Sequence, residues 1–174
     1  MSNKDYIIST LNLVSDDIES FNIVRKGETF YSYITLKDRH PSCPICGSAS
    51  RCNGFVDFTF QTMPINSFDH YVVWHRRRYI CKDPDCHYSF RETNRFTPGS
   101  LHFSFSLLNQ VAKDIANLHF TYKDIAEKNN ISIGSVEIYS DSFLNVPRLV
   151  LPENMGIDEL YSDMAKYGSS YLCV

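Results

Sequence analysis

Two close pairs of cysteines, Cys43 and Cys46 in CPICG and Cys81 and Cys86 in CKDPDC, limit what this chain can fold into more than any other feature. Four thiolates presented on two tight turns suit one tetrahedral zinc ion, whose sulfur ligands sit at about 2.3 Å. In the first pair a two-residue spacer followed by Gly47 lets the backbone bend until both sulfurs face one point. The second pair encloses four residues, with Pro84 between two aspartates, a composition that favours a turn. The 34 residues between the pairs contain FVDFTFQTMPI and YVVWHRRRYI, enough strand-like pattern for a small sheet, so residues 40–96 read as a zinc ribbon. Structural disulfides, a redox dithiol and buried free thiols are the competing uses of such cysteines. Nothing here resembles the strand–helix setting of a redox pair, and a cytoplasmic location disfavours disulfides. Cys52 and His87 lie close enough in sequence to substitute as ligands, but the expectation is that each packs or sits at the surface. Four protein ligands leave zinc no open position, so the metal's role is structural.

The start, MSNKDYIIST, lacks the sections of a signal peptide, and no apolar run reaches 18 residues, so the expectation is a cytoplasmic chain with no membrane partner. The formal charge of −3 argues against a uniformly basic nucleic-acid binder, but it hides an asymmetry. Residues 37–95 carry nine Lys/Arg against six Asp/Glu, centred on Arg76, Arg77 and Arg78. Local positive charge on a mildly acidic protein suits phosphate contact over a limited surface. In the strand YVVWHRRRYIC, alternation places Val73, His75, Arg77 and Tyr79 on one face and Val72, Trp74, Arg76, Arg78 and Ile80 on the other. This strand reads either as a backbone-contacting ribbon or as a small aromatic core with solvated arginines.

Before the ribbon, residues 5–14 have helical apolar spacing, and residues 18–25 and 28–36 read as a hairpin turning at Lys26-Gly27. Residues 1–39 therefore form an N-terminal helix and hairpin. A breaker cluster at residues 97–100 marks a boundary, after which the pattern turns helical. Leu107, Leu108, Val111, Ile115 and Leu118 define a first helix. Thr121 caps a second that carries Ile125 and Ala126, and Asn129-Asn130 breaks it. A third then carries Val136, Tyr139 and Phe143. Residues 101–147 thus match a helix-turn-helix, whose second helix enters the major groove of DNA by its N-terminal half. Ser132, Gly134, Ser135, Glu137 and Ile138 are the candidates to approach bases or phosphates there. The bland alternative is a helical hairpin used only for packing.

Taken in order, CPICG, the RRRYIC run, the CHYSFRE ending, the TYKDIAEKNNISIGSV helix pair and the tail GIDEL resemble the transposases of the ISL-three type of bacterial insertion sequence. The likeness covers the chain from about residue 40. It implies sequence-specific binding of double-stranded DNA, in the family case the terminal inverted repeats, by a protein that can form a homodimer. It also implies that residues 148–174 are a linker and the start of a ribonuclease-H-like catalytic domain, with Asp158 as the first carboxylate of a triad. In a full-length family member that triad holds Mg2+ or Mn2+. Residues 161–171 depart from the family's basic, Gly-His-containing turn. With one carboxylate of three, the expectation is an α+β chain that binds DNA and does not cut it. The competing class is a stand-alone zinc-ribbon regulator or protein-interaction module.

Overall fold

The computed structural model describes residues 3–99, 101–143, 158–160 and 171–173. The chain divides into two units, Met1–Phe143 and Leu144–Val174. The larger is α+β. It opens with helix α1 (Asn3–Thr10) and a single 3-10 turn at Ser15–Asp17. Strands β1 (Ile18–Lys26), β2 (Thr29–Leu36), β3 (Ser50–Ile65), β4 (Phe68–Cys81) and β5 (Ser89–Arg91) then form one sheet, followed by helices α2 (Phe105–Ile115), α3 (Tyr122–Asn129) and α4 (Ile133–Phe143). Among the described residues no helix is long and apolar enough to cross a membrane.

The sheet order is β1-β2-β4-β3, with β5 also paired to β4. Two hairpins supply the β1–β2 and β3–β4 antiparallel pairs, and β5 adds a short antiparallel pair on β4. The first turns at Gly27 (φ +62°), and the second at Asn66 and Ser67, both with positive φ, as a two-residue turn of matching twist requires. The hairpins join by a parallel pair, β2 beside β4, with Ser32 opposite Val72 and Ile34 opposite Trp74. The expected segments 1–39 and 40–96 therefore share one sheet, because β4 offers β2 an edge that β3 does not use. They share one core as well. Ile7, Ile8 and Leu11 from the N-terminal helix region pack with Phe30, Ile34, Phe60, Val72, Trp74 and Phe96.

Burial along β4 changes face partway. His70, Val72 and Trp74 are buried at its start, whereas Arg77, Tyr79 and Cys81 are buried at its end. The two sets have opposite parity, so the strand turns one face to the main core and then the other toward the cysteine turns. A bulge in β3 between Cys52 and Phe55 accompanies the change.

The helices have their own core of Leu107, Leu108, Val111, Ile125, Ala126, Val136 and Tyr139. Ser104 caps α2 by accepting from Leu107 N, and Thr121 with Asp124 forms a capping box on α3. Helix α3 stops at Asn130, which adopts the left-handed conformation at φ 52°. Buried Asp114 ties α2 to α3 by accepting from Lys128 Nζ at 2.6 Å and Asn129 Nδ2 at 2.9 Å. Burial works to raise its pKa, but these bonds and one from Gln110 hold the carboxyl below its ordinary range. The expected boundary at residues 97–100 is no free joint. Gln61 on β3 donates its N–H to the His102 carbonyl, accepts from Ser104 N and donates Nε2 to the Asn130 carbonyl at 2.6 Å.

The smaller unit contains an antiparallel pair, β6 (Asp158–Leu160) and β7 (Tyr171–Cys173), with Asp158 opposite Cys173. The side chain of Asp158 and the expected linker at residues 148–157 lie outside what is described.

His70 is buried between Ser32 Oγ at 2.8 Å and the Met63 carbonyl at 3.2 Å. With Nδ1–H donating to Met63, Nε2 accepts from Ser32, and the ring is neutral. Burial depresses its pKa to about 4, against the raising effect of the Met63 bond. A histidine depressed in the fold takes up its proton more readily when unfolded, so its contribution is complete above the unfolded pKa near 6.5 and is lost as pH falls toward 4. The loss approaches about 3 kcal/mol. Urea unfolding between pH 7 and 4 is expected to show a steeper decline for the native chain than for His70→Gln, and parallel declines would contradict this assignment.

Candidate metal centre and nucleic-acid surface

The chain reaches the first cysteine turn from β2 and leaves it into β3. It reaches the second directly from the end of β4 and leaves it into β5. Because β3 and β4 form one hairpin, with Ser50 opposite Cys81, their open end brings the two turns together. In the first turn, Gly47 N donates to the Cys43 carbonyl at 2.9 Å and Gly47 takes φ +74°. The second repeats the device: His87 N donates to the Asp83 carbonyl at 3.1 Å, and His87 takes φ 44°. Each turn therefore places a left-handed residue immediately after its second cysteine. The turns also bond to each other, Lys82 N to the Ala49 carbonyl at 3.0 Å and Ser48 Oγ to Asp83 Oδ2 at 3.2 Å.

The Sγ atoms of Cys43, Cys46, Cys81 and Cys86 all lie within 4.8 Å of one another, a group that could hold a metal ion. Cys43 and Cys86 are 3.8 Å apart and Cys46 and Cys81 3.4 Å, too far for S–S bonds of about 2.05 Å. They are close to the edge of roughly 3.8 Å of a tetrahedron with 2.3 Å metal–sulfur bonds. Donor number, type and separation thus all fit a closed tetrahedral site. Cys52 stands outside it, exposed, with its thiol toward the Gly54 carbonyl at 3.7 Å. His87 is likewise no member of the group.

The thiols are not equivalent. Bonds from the Ser48 side chain and backbone, then from the Cys81 thiol, lower Cys46 to about 6. Burial, together with the neighbouring cysteines, pushes Cys81 up to about 12. Cys86 is also raised, by burial and by Cys46 and Cys43, against the lowering bond from the Tyr88 backbone. Crowded sulfurs thus share protons around one thiolate, and a divalent cation would replace those protons.

The three central arginines meet different fates. Arg77 is buried; its guanidinium donates to the Leu36 carbonyl and to Glu19, and stands 3.9 Å from Asp38. Asp38 in turn accepts from Tyr79 Oη at 2.8 Å. Arg77 therefore holds β4 to the β2 end and offers nothing to an outside phosphate. Arg76 is half-buried, with Nε donating to the Glu92 carbonyl and its guanidinium over the Trp74 ring. Arg78 is exposed. Sequence alternation set the parity of all three correctly, but it gave no sign that burial would pass from one face to the other along β4.

In the helical part, Ser132, Gly134, Glu137 and Ile138 are exposed and Ser135 is half-buried, while Val136 and Tyr139 point into the core. Ser132 Oγ accepts from Ser135 N at 3.1 Å and so caps α4. Ile133, passed over in the sequence reading, is 46% exposed and Ile138 69%, so α4 carries two outward apolar side chains. Its position one residue after the cap was the available signal.

Compared with protein-family models, curated proteins and solved structures, the chain matches none.

Two outcomes test these assignments. Zinc uptake at pH 7.5 is expected to release at least the protons of Cys81 and Cys86, since both thiols lie above their ordinary range; calorimetry in two buffers of different ionisation enthalpy measures this, and proton-neutral binding would contradict it. Arg77→Met should cost about 2 kcal/mol in urea unfolding because it leaves the buried Leu36 carbonyl without its donor, whereas Arg78→Gln should stay within about 0.5 kcal/mol. Equal effects would show that Arg77 is not a structural group.

Proposed function

We propose that this chain is a zinc-stapled, sequence-specific binder of double-stranded DNA, corresponding to the DNA-binding part of an insertion-sequence transposase. On this reading residues 40–96 are a zinc ribbon, α3 and α4 are the helix-turn-helix, and α4 reads the major groove. The observation that carries the reading is the arrangement at α4. A capped helix is anchored by Val136 and Tyr139 while the first turns of its outer face remain open to solvent. Only three residues, 130–132, separate α3 from α4, and a left-handed Asn130 makes the turn.

The side chains on this face, exposed except for half-buried Ser135, have suitable chemistry. Ser132 and Ser135 can bond base edges or phosphates, Glu137 can accept from the cytosine amino group, and Ile133 and Ile138 can pack against thymine methyls. The four cysteines would hold zinc as thiolates, and bound zinc supplies the fold of the turns without an open catalytic position. No chemistry is assigned to Asp158, because one carboxylate does not bring two ions about 4 Å apart.

A second reading, a ribbon that binds a protein, draws support from a cleft of about 450 Å³ lined in part by Leu36, Pro41, Pro44, Tyr79 and Phe90. Ionic strength separates the two, since phosphate contacts weaken steeply with salt and an apolar interface does not.

The test is selection from a random duplex pool with the zinc-loaded chain. Convergence on one motif is expected, and Glu137→Ala should relax preference at a single base pair by about 1–3 kcal/mol. Failure to converge with zinc bound would overturn the DNA reading and favour the protein-binding one.

A further inference from the structure

Four arginines occupy one face of the sheet beside the cysteine cluster. In register, Arg78 lies directly opposite Arg91 on β5, and Ile80 directly opposite Arg51 on β3. Arg76 is two residues along β4 on the same side. Directly paired residues share a face, so the three strands present one guanidinium cluster. Arg51, Arg78 and Arg91 are exposed.

No carboxylate balances them in the register. The other partners on this face are Val56 and Ser89, opposite Arg76 and Ile80. Asp57 opposes and pairs with His75 on the other face, and Glu92 accepts from Arg77 N at 3.3 Å while its charge also reaches Arg76. Arg51, Arg78 and Arg91 form no ion pair among the described residues. Arg78 makes only a long bond, 3.4 Å, to the Asn53 carbonyl. Burial, followed by the charge of Arg91, lowers the pKa of Arg76, against the raising effect of Glu92. Like charges directly opposite on neighbouring strands destabilise a sheet, so this arrangement fits a surface completed by an external anion.

We propose that the Arg51–Arg76–Arg78–Arg91 face is a phosphate-backbone contact for duplex DNA, separate from α4. The proposal rests on the DNA reading above and adds the surface that supplies its charge, which α4 lacks. Guanidinium forks bind phosphate oxygens in pairs, and the sheet fixes their spacing at about 5 Å between strands and 7 Å along one. Up to about 30 Å of β3 separates Arg51 from Gln61, where the helices dock, within about one turn of duplex.

The test compares the zinc-loaded full chain with its Arg51→Gln/Arg78→Gln/Arg91→Gln variant on the selected duplex and on an unrelated one, across salt concentrations. The slope of log affinity against log salt is expected to fall by about 2–3, at roughly 0.9 per lost contact. Affinity for both duplexes should drop together while the preferred motif stays the same. Arg91→Gln alone, at the sheet edge, should lower the slope by about 1, which guards against misfolding of the triple variant. A native chain that binds DNA with a slope unchanged in both variants would overturn this proposal and leave the DNA reading intact. A native chain that binds no duplex would overturn both. Binding of an oligoglutamate peptide as tightly as duplex, lost in the triple variant, would reassign the face to an acidic protein.

Discussion

Four sulfurs held within 4.8 Å of one another are stable together only when protons or a cation share them, and the open end of the β3–β4 hairpin depends on that sharing. Cys81 is the last residue of β4, and the first turn runs directly into β3. Separating the sulfurs would pull on both turns, which are otherwise tied by the bonds from Lys82 N to the Ala49 carbonyl and from Ser48 Oγ to Asp83. A bound divalent ion opposes this by exchanging protons for metal–thiolate bonds, so metal affinity becomes folding energy at this end of the sheet. The far end is held by ordinary burial of Trp74, Phe60, Phe96 and the N-terminal helix region. The sheet thus has two stabilising centres of different chemistry.

Strand β4 joins them and explains why adjacent arginines serve different ends. Its first half faces the apolar core through even positions, and its second half faces the cysteine turns through odd ones. Arg77 falls on the inner side after the change, and its charge is met by Glu19 and Asp38. Arg78, one residue on, faces solvent opposite another arginine. A run of three identical side chains is therefore divided by backbone alternation into an internal brace and part of an outward basic face. The helices reach this sheet through Gln61, whose backbone and side chain together bond residues 102, 104 and 130. On the DNA reading, the base-reading helix and the charged face are thereby parts of one anchored body.

Much of this was legible locally. The cysteine turns follow from spacing and Gly47, the first hairpin from alternation through Phe30, Ser32 and Ile34, and the start of α3 from Thr121. What escaped the sequence was non-local. Nothing in residues 29–36 specifies a parallel partner nearly forty positions away, so the N-terminal hairpin read as a separate element. Alternation separated Arg77 from Arg78 but not which of the two faces turns inward there, because burial changes face along β4 alongside a bulge in β3. His70 lies within the locally basic segment 37–95, yet burial between Ser32 and Met63 keeps it neutral. The assignment of residues 148–157 lies outside what the structure describes.

The central claim is that a metal-held sheet and an anchored helix pair together grip duplex DNA. Hydrogen exchange of the zinc-loaded chain, with and without its selected duplex, addresses it most directly. The account predicts slowed exchange on binding at the α4 N-terminus and along β4 and β5 near Arg78 and Arg91, with the core around Trp74 unchanged. Protection confined to the cleft amides of Lys37, Arg39 and Ser42, or no protection at α4, would contradict it.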